Sequence, residues 1–89
     1  MIDENIVAEW MLDKIRLEDC IYQEDVVDFL VKENRDDLLI ENSDGNLVLG
    51  KKVLAAFRKI TEHTVVWVRP GKYWRFRVKE DELGREARG

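Results

Sequence analysis

Val65-Val66-Trp67-Val68-Arg69-Pro70-Gly71-Lys72-Tyr73-Trp74-Arg75-Phe76-Arg77-Val78-Lys79 reads as two strands around a turn, and the rest of the chain arranges itself about that unit. β-Branched and aromatic residues flank Pro70-Gly71, and proline suits a turn but not a central strand. With the tip there, Trp67 lies opposite Trp74 and Val65 opposite Phe76. One face then holds Val65, Trp67, Trp74, Phe76 and Val78. The other holds Val66, Val68, Tyr73, Arg75, Arg77 and Lys79. Pro-Gly favours a turn whose twist fits a tight hairpin poorly, so a wider loop from Arg69 to Lys72, of the same pairing parity, is expected.

Just upstream, residues 51–62 predict a helix after Gly50. Val53, Leu54, Phe57 and Ile60 form its expected buried face, and Lys51, Lys52, Ala55, Arg58 and Lys59 its exposed face. Earlier, Leu38-Leu39-Ile40 and Leu47-Val48-Leu49 flank Asp44-Gly45, a hairpin signal because the turn needs positive φ. Residues 24–34 predict a helix with Val26, Val27, Leu30 and Val31 as its stripe and Asn34 as its stop. Residues 4–18 predict another, with Ile6, Val7, Trp10, Met11 and Ile15 at three-four spacing and Asp3 or Asn5 as cap. Cys20-Ile21-Tyr22 fits one brief strand. From Glu80 the chain is charged and lacks an apolar period, so residues 80–89 are expected to be a mobile tail behind a single domain of residues 1–79. The expected core includes Trp10, Met11, Val27, Leu30, Leu54, Phe57, Ile60, Trp67, Trp74 and Phe76.

Charge is sorted along the chain. Residues 1–50 hold four Lys/Arg and fourteen Asp/Glu, a balance of −10. Residues 51–79 hold nine and one, a balance of +8, and the whole chain of 89 residues carries −4. The basic surplus therefore falls on the third helix and the second hairpin, which points to an anionic partner. One cysteine, Cys20, cannot close an internal disulfide, and its acidic and apolar neighbours do not favour a thiolate. No apolar run reaches membrane-spanning length and the first residues are acidic. The expectation is a reduced cytoplasmic protein with no membrane partner.

Helix, strand, helix, connection, helix, hairpin is the order of a winged helix-turn-helix domain, so the expected fold class is α+β, three helices with one or two β-hairpins. In that fold the third helix and the wing usually present the nucleic-acid surface. The chain also resembles a small bacterial family, a domain of unknown function. The resemblance rests on Ala8-Glu9-Trp10-Met11-Leu12, Tyr22-Gln23-Glu24-Asp25, Asn46-Leu47, Lys51-Lys52-Val53-Leu54, Ala56-Phe57-Arg58-Lys59, Val65-Val66-Trp67 and Trp74-Arg75. It implies a compact domain with a winged-helix-like core and no assigned activity. Three features depart from a standard DNA-reading domain: about 15 residues separate the second and third helices, where a helix-turn-helix has three or four; the third helix lacks Asn and Gln; and the net charge is negative. Contact with DNA or RNA backbone is therefore expected rather than sequence reading.

The candidate contacts are Lys51, Lys52, Arg58 and Lys59 on the helix, with small Ala55 allowing close approach, and Arg69, Lys72, Tyr73, Arg75, Arg77 and Lys79 on the hairpin. An ordinary solvated helix face and edge-strand charges that prevent aggregation are the plain alternatives. Trp67 and Trp74 read either as a cross-strand core pair or as a stacking platform for bases, with Tyr73 the better exposed aromatic. A concave aromatic pocket near the two tryptophans would instead mark a small-molecule binder. The rival partner is protein: the acidic helices of one copy against the basic hairpin of another, or a larger protein.

Chemistry finds little material. His63 has no metal-ligand spacing to another His or Cys. Aligning Gly45 with a calcium loop puts Ile40 and Lys51 at ligand positions, which rejects calcium. Glu24-Asp25 and Asp36-Asp37 are sequence neighbours that point apart. Ser43 is the only serine, and no nucleophile elbow or phosphate-cradling loop is present. No enzyme, metal or cofactor is expected.

Overall fold

In the computed structural model, residues 2–79 and 85–87 are described. Helix α1 spans Glu4–Glu18, strand β1 Cys20–Tyr22 and helix α2 Gln23–Lys32. A 3-10 turn at Asp36–Leu38 leads into β2 (Leu39–Glu41) and β3 (Leu47–Leu49). Helix α3 (Lys51–Thr61), β4 (Val65–Val68), β5 (Tyr73–Phe76) and a short β6 (Glu86–Ala87) follow. The result is a mixed α+β domain, as expected.

The ends of the elements follow their sequence signals. Asp3 accepts the Ile6 N–H at 2.9 Å, satisfying a free donor of α1. Asp19 closes α1 in the left-handed region at φ 70°, and Asn34 follows α2 at φ 59°. In the β2–β3 turn the Asn42 carboxamide oxygen accepts the N–H of Asp44 at 2.9 Å and of Asn46 at 3.0 Å. Gly45 takes φ 80° there, which a side chain would resist.

The main sheet has the order β1-β5-β4-β6, antiparallel except for β6, which runs parallel to β4. The expected register holds: Trp67 pairs with Trp74 and Val65 with Phe76, and Lys72 N–H donates to Arg69 O at 3.2 Å across the wide turn. Ile21, Trp74 and Val65 belong to the main core, with Val7, Met11, Ile15, Val26, Leu30, Val53 and Phe57, and half-buried Trp67 packs against it. Phe57 meets Trp74 edge-on at 5.6 Å, joining α3 to the sheet. Trp10 stacks on Phe29 at 4.1 Å between α1 and α2.

Four expectations need correction. Leu54 and Ile60 are 39% and 42% exposed; the buried line of α3 is Val53, Phe57 and Thr61, four residues apart. Thr61 replaces an aliphatic side chain there because its hydroxyl bonds the Phe57 carbonyl at 2.6 Å. Phe76, at the end of β5, is 36% exposed. Val66 and Val68, assigned to the outward face, are buried outside the main cluster: β4 lies between two strands, and its unbroken apolar run suits burial on both faces. Finally, Glu86–Ala87 pair with β4, beside Arg85, in a stretch expected to be a tail; residues 80–84, 88 and 89 lie outside the described residues.

Candidate nucleic-acid interface

Helix α3 packs on α1 with Gly50 at its start. That glycine answers a close approach: a Cβ would stand 2.7 Å from the Leu38 carbonyl oxygen. The anchoring turns Lys51, Lys52, Ala55, Arg58 and Lys59 outward, and all five are exposed. Leu54 and Ile60 border this basic stripe, one on each side.

The hairpin divides its cations between two ends. At the tip, Arg69 and Lys72 are exposed, and the Lys72 carbonyl accepts the Gln23 N–H at 2.9 Å. They line a groove of about 770 Å³ shared with Trp67, Leu47, Glu24 and Asp28. The tip therefore faces carboxylates of α2. At the other end, Arg77 and Lys79 line an open cleft of about 520 Å³ with His63, Thr64, Phe76 and Val78, just past α3. The Arg77 N–H donates to Thr64 O at 2.7 Å and fixes this junction. Tip and base are separated by the length of β4, about 13 Å at 3.3 Å per residue.

Arg75 and Arg77 are half-buried. Arg75 lies across from Val66 and Cys20, and its guanidinium donates to Phe76 O at 3.1 Å. Tyr73, expected as an exposed aromatic, is half-buried and tilted against Tyr22 at 5.1 Å. Cross-strand pairing of β1 with β5 put the two rings together, and Tyr22 is the more exposed. Trp74 is buried, so it serves the core rather than a stacking platform; Trp67, 4.5 Å away, is half-buried and keeps a groove-facing part.

Electrostatics separate the two halves of the α3 stripe. Asp37 sits below the ordinary carboxylate range because Arg35 hydrogen-bonds it, with a lesser contribution from Lys52. The first turn of α3 thus lies near a carboxylate. At the last turn, Arg85 is pushed below the ordinary arginine value by burial, then by the charges of Arg58 and Arg77, against which Glu62 acts. Arg58, Arg77 and Arg85 therefore share one neighbourhood. Three ion pairs join residues of the acidic half: Lys14–Glu18 at 3.6 Å, Arg16–Asp13 at 3.0 Å and Arg35–Asp37 at 2.9 Å. None of them involves Lys51, Lys52, Arg58, Lys59, Lys72 or Lys79. Arg85 is the residue that sequence reasoning missed: it follows no apolar period, and nothing beside it announces a contact with α3.

These observations define a small α+β domain with a basic third helix beside the base of a hairpin. The chain belongs to the family of unknown function DUF6953, whose model matches residues 3–76. No curated protein and no solved structure matches the chain. No described helix is long and apolar enough to cross a membrane.

Proposed function

We propose that this domain is a non-enzymatic binding module that grips the sugar-phosphate backbone of DNA or RNA. The observation that carries the reading is the exposed stripe Lys51, Lys52, Arg58 and Lys59, with Ala55 at its centre; Arg77 is tied through its N–H to Thr64, just past the end of that helix. Cations held on a rigid helix release counterions from phosphates and supply affinity without reading bases. The strand order β1-β5-β4, with α3 entering the hairpin, supports a winged-helix reading in which helix and wing form the contact surface. The link between α2 and α3 contains its own hairpin, so α3 is not braced as the second helix of a short turn; backbone contact fits this better than base recognition. The unpaired Cys20 suits a reducing, cytoplasmic setting.

The exposed cations are the proper probes. Duplex and single-stranded DNA and RNA are titrated at low and moderate salt against the wild type and Arg58→Glu with Lys59→Glu. The expected result is salt-sensitive binding, with the log–log salt slope reduced by about two in the variant. No binding at low salt, or binding the variant leaves unchanged, sinks the reading.

Exposed Leu54, Ile60, Phe76 and Val78 favour a second reading, a protein partner or a second copy seated on the same region. Sedimentation at several salt concentrations separates the two. A salt-sensitive oligomer supports this reading, and a monomer that binds nucleic acid supports the first.

A further inference from the structure

The last turn of α3 and the outer edge of β4 converge on a single guanidinium. Arg85 Nη1 donates to the Thr61 carbonyl at 2.9 Å and to the Val65 carbonyl at 3.2 Å, and Nη2 donates to the Thr61 hydroxyl at 2.9 Å. The group lies 5.7 Å from the centre of the Phe57 ring. Each receptor group has its own reason to take a cation. Helix-end carbonyls lack intrahelical donors and sit at the negative end of the dipole, and an aromatic face attracts positive charge. The fork of an arginine reaches three oxygens from one plane, which an ammonium does not. Beside this pocket the Trp67 N–H donates to the Arg85 carbonyl at 2.6 Å, so the backbone of the segment is captured as well.

Receptor and plug fall on different sides of the family boundary. Phe57, Thr61, Val65 and Trp67 lie within the matched residues 3–76, and Arg85 lies beyond them. The strand part of the plug is short, since β6 pairs two residues with β4, and burial and the charges of Arg58 and Arg77 oppose the charge of Arg85, offset in part by Glu62. The edge of β4 that β6 covers is also a template for pairing with another chain once β6 leaves it. We propose that the β4 edge and the end of α3 form a docking site for an extended segment bearing an arginine, filled in this structure by the chain's own Arg85–Ala87 and exchangeable for the same segment of a second copy.

The test uses the full-length Arg85→Ala chain, isotopically labelled, and an unlabelled peptide with the sequence of residues 83–89. Saturable shifts of the Trp67 and Thr61 amide signals are expected. In the wild type, where the tethered segment competes, binding is weaker by about tenfold or more. A peptide with its first arginine replaced by alanine gives no shift. Unlabelled wild-type chain moves the same two signals; failure there, with peptide binding intact, overturns the second copy as donor. No shift in a folded Arg85→Ala chain, or equal shifts with the altered peptide, overturns the site. Arg85→Gln is the second variant. If both variants lose their helical circular dichroism, the segment is a fixed part of the fold and exchange fails.

Discussion

Phe57 and Trp74 meet edge to face, 5.6 Å between ring centres at 73°. This contact ties the basic helix to the strand that carries Arg75, so the placement of the cations depends on two neutral rings. Phe57→Ala should cost about 3–5 kcal/mol, because it removes buried area and leaves a cavity beneath Trp74. Urea unfolding followed by circular dichroism checks it, and a loss under 1 kcal/mol (about the scale of a surface change) contradicts the packing described.

The outward position of Leu54 and Ile60 makes a sharper test, since hydrophobic spacing alone assigns Leu54 to the core. Leu54→Gln should stay within about 0.5 kcal/mol of the wild type, whereas Leu30→Ala should cost about 2–5 kcal/mol. Comparable losses from both would return Leu54 to the interior.

Gly50 has ordinary backbone geometry and is constrained by contact instead. Gly50→Ala sets a Cβ against the Leu38 carbonyl oxygen at 2.7 Å. The start of α3 or the 3-10 turn must shift, at a cost of about 1–3 kcal/mol. Gly45→Ala meets open space but must hold φ near 80°, and should cost about 1 kcal/mol. Thermal unfolding of the two variants separates contact from conformation: a structure of Gly50→Ala should show the displacement, and Gly45→Ala should show none.

Arg35 gives a pH dependence of known sign. It donates to both carboxylate oxygens of Asp37, at 2.9 and 3.1 Å, and to the Ile2 carbonyl. The hydrogen bond from Arg35 depresses the Asp37 pKa in the folded state. The stabilisation is therefore present above the pKa of the unfolded aspartate and is lost as pH falls through the folded value. Carboxyl titration by NMR should find Asp37 below ordinary exposed aspartates, and Arg35→Gln should raise it; an unchanged titration refutes the pairing.

Legibility followed physical range. The second hairpin was readable because period-two alternation and Pro70-Gly71 are local, and register follows from parity once the turn is placed. The cap at Asp3 and the turn at Gly45 were readable for the same reason. The face of α3 was not: Leu54 and Ile60 satisfy helical spacing as well as Phe57 does, and what excludes them is how the helix rolls on α1. The burial of Thr61 was hidden because its hydroxyl is satisfied by its own helix. Of the basic residues, those of α3 stand outward as read. The hairpin set divides because sequence proximity along two strands says nothing of which end meets α2 and which meets α3. Tyr73 was misplaced because the pairing of β1 with β5 is long-range, and no local signal carries it.

The three tryptophans occupy three different surroundings: Trp10 against Phe29, Trp67 beside the open groove, and Trp74 within the core. Single-tryptophan versions of this chain therefore carry three intrinsic optical reporters. Emission from Trp67 would register events near the hairpin tip, that from Trp10 the α1–α2 contact, and that from Trp74 the melting of the centre, so one spectrometer can time the loss of each layer separately.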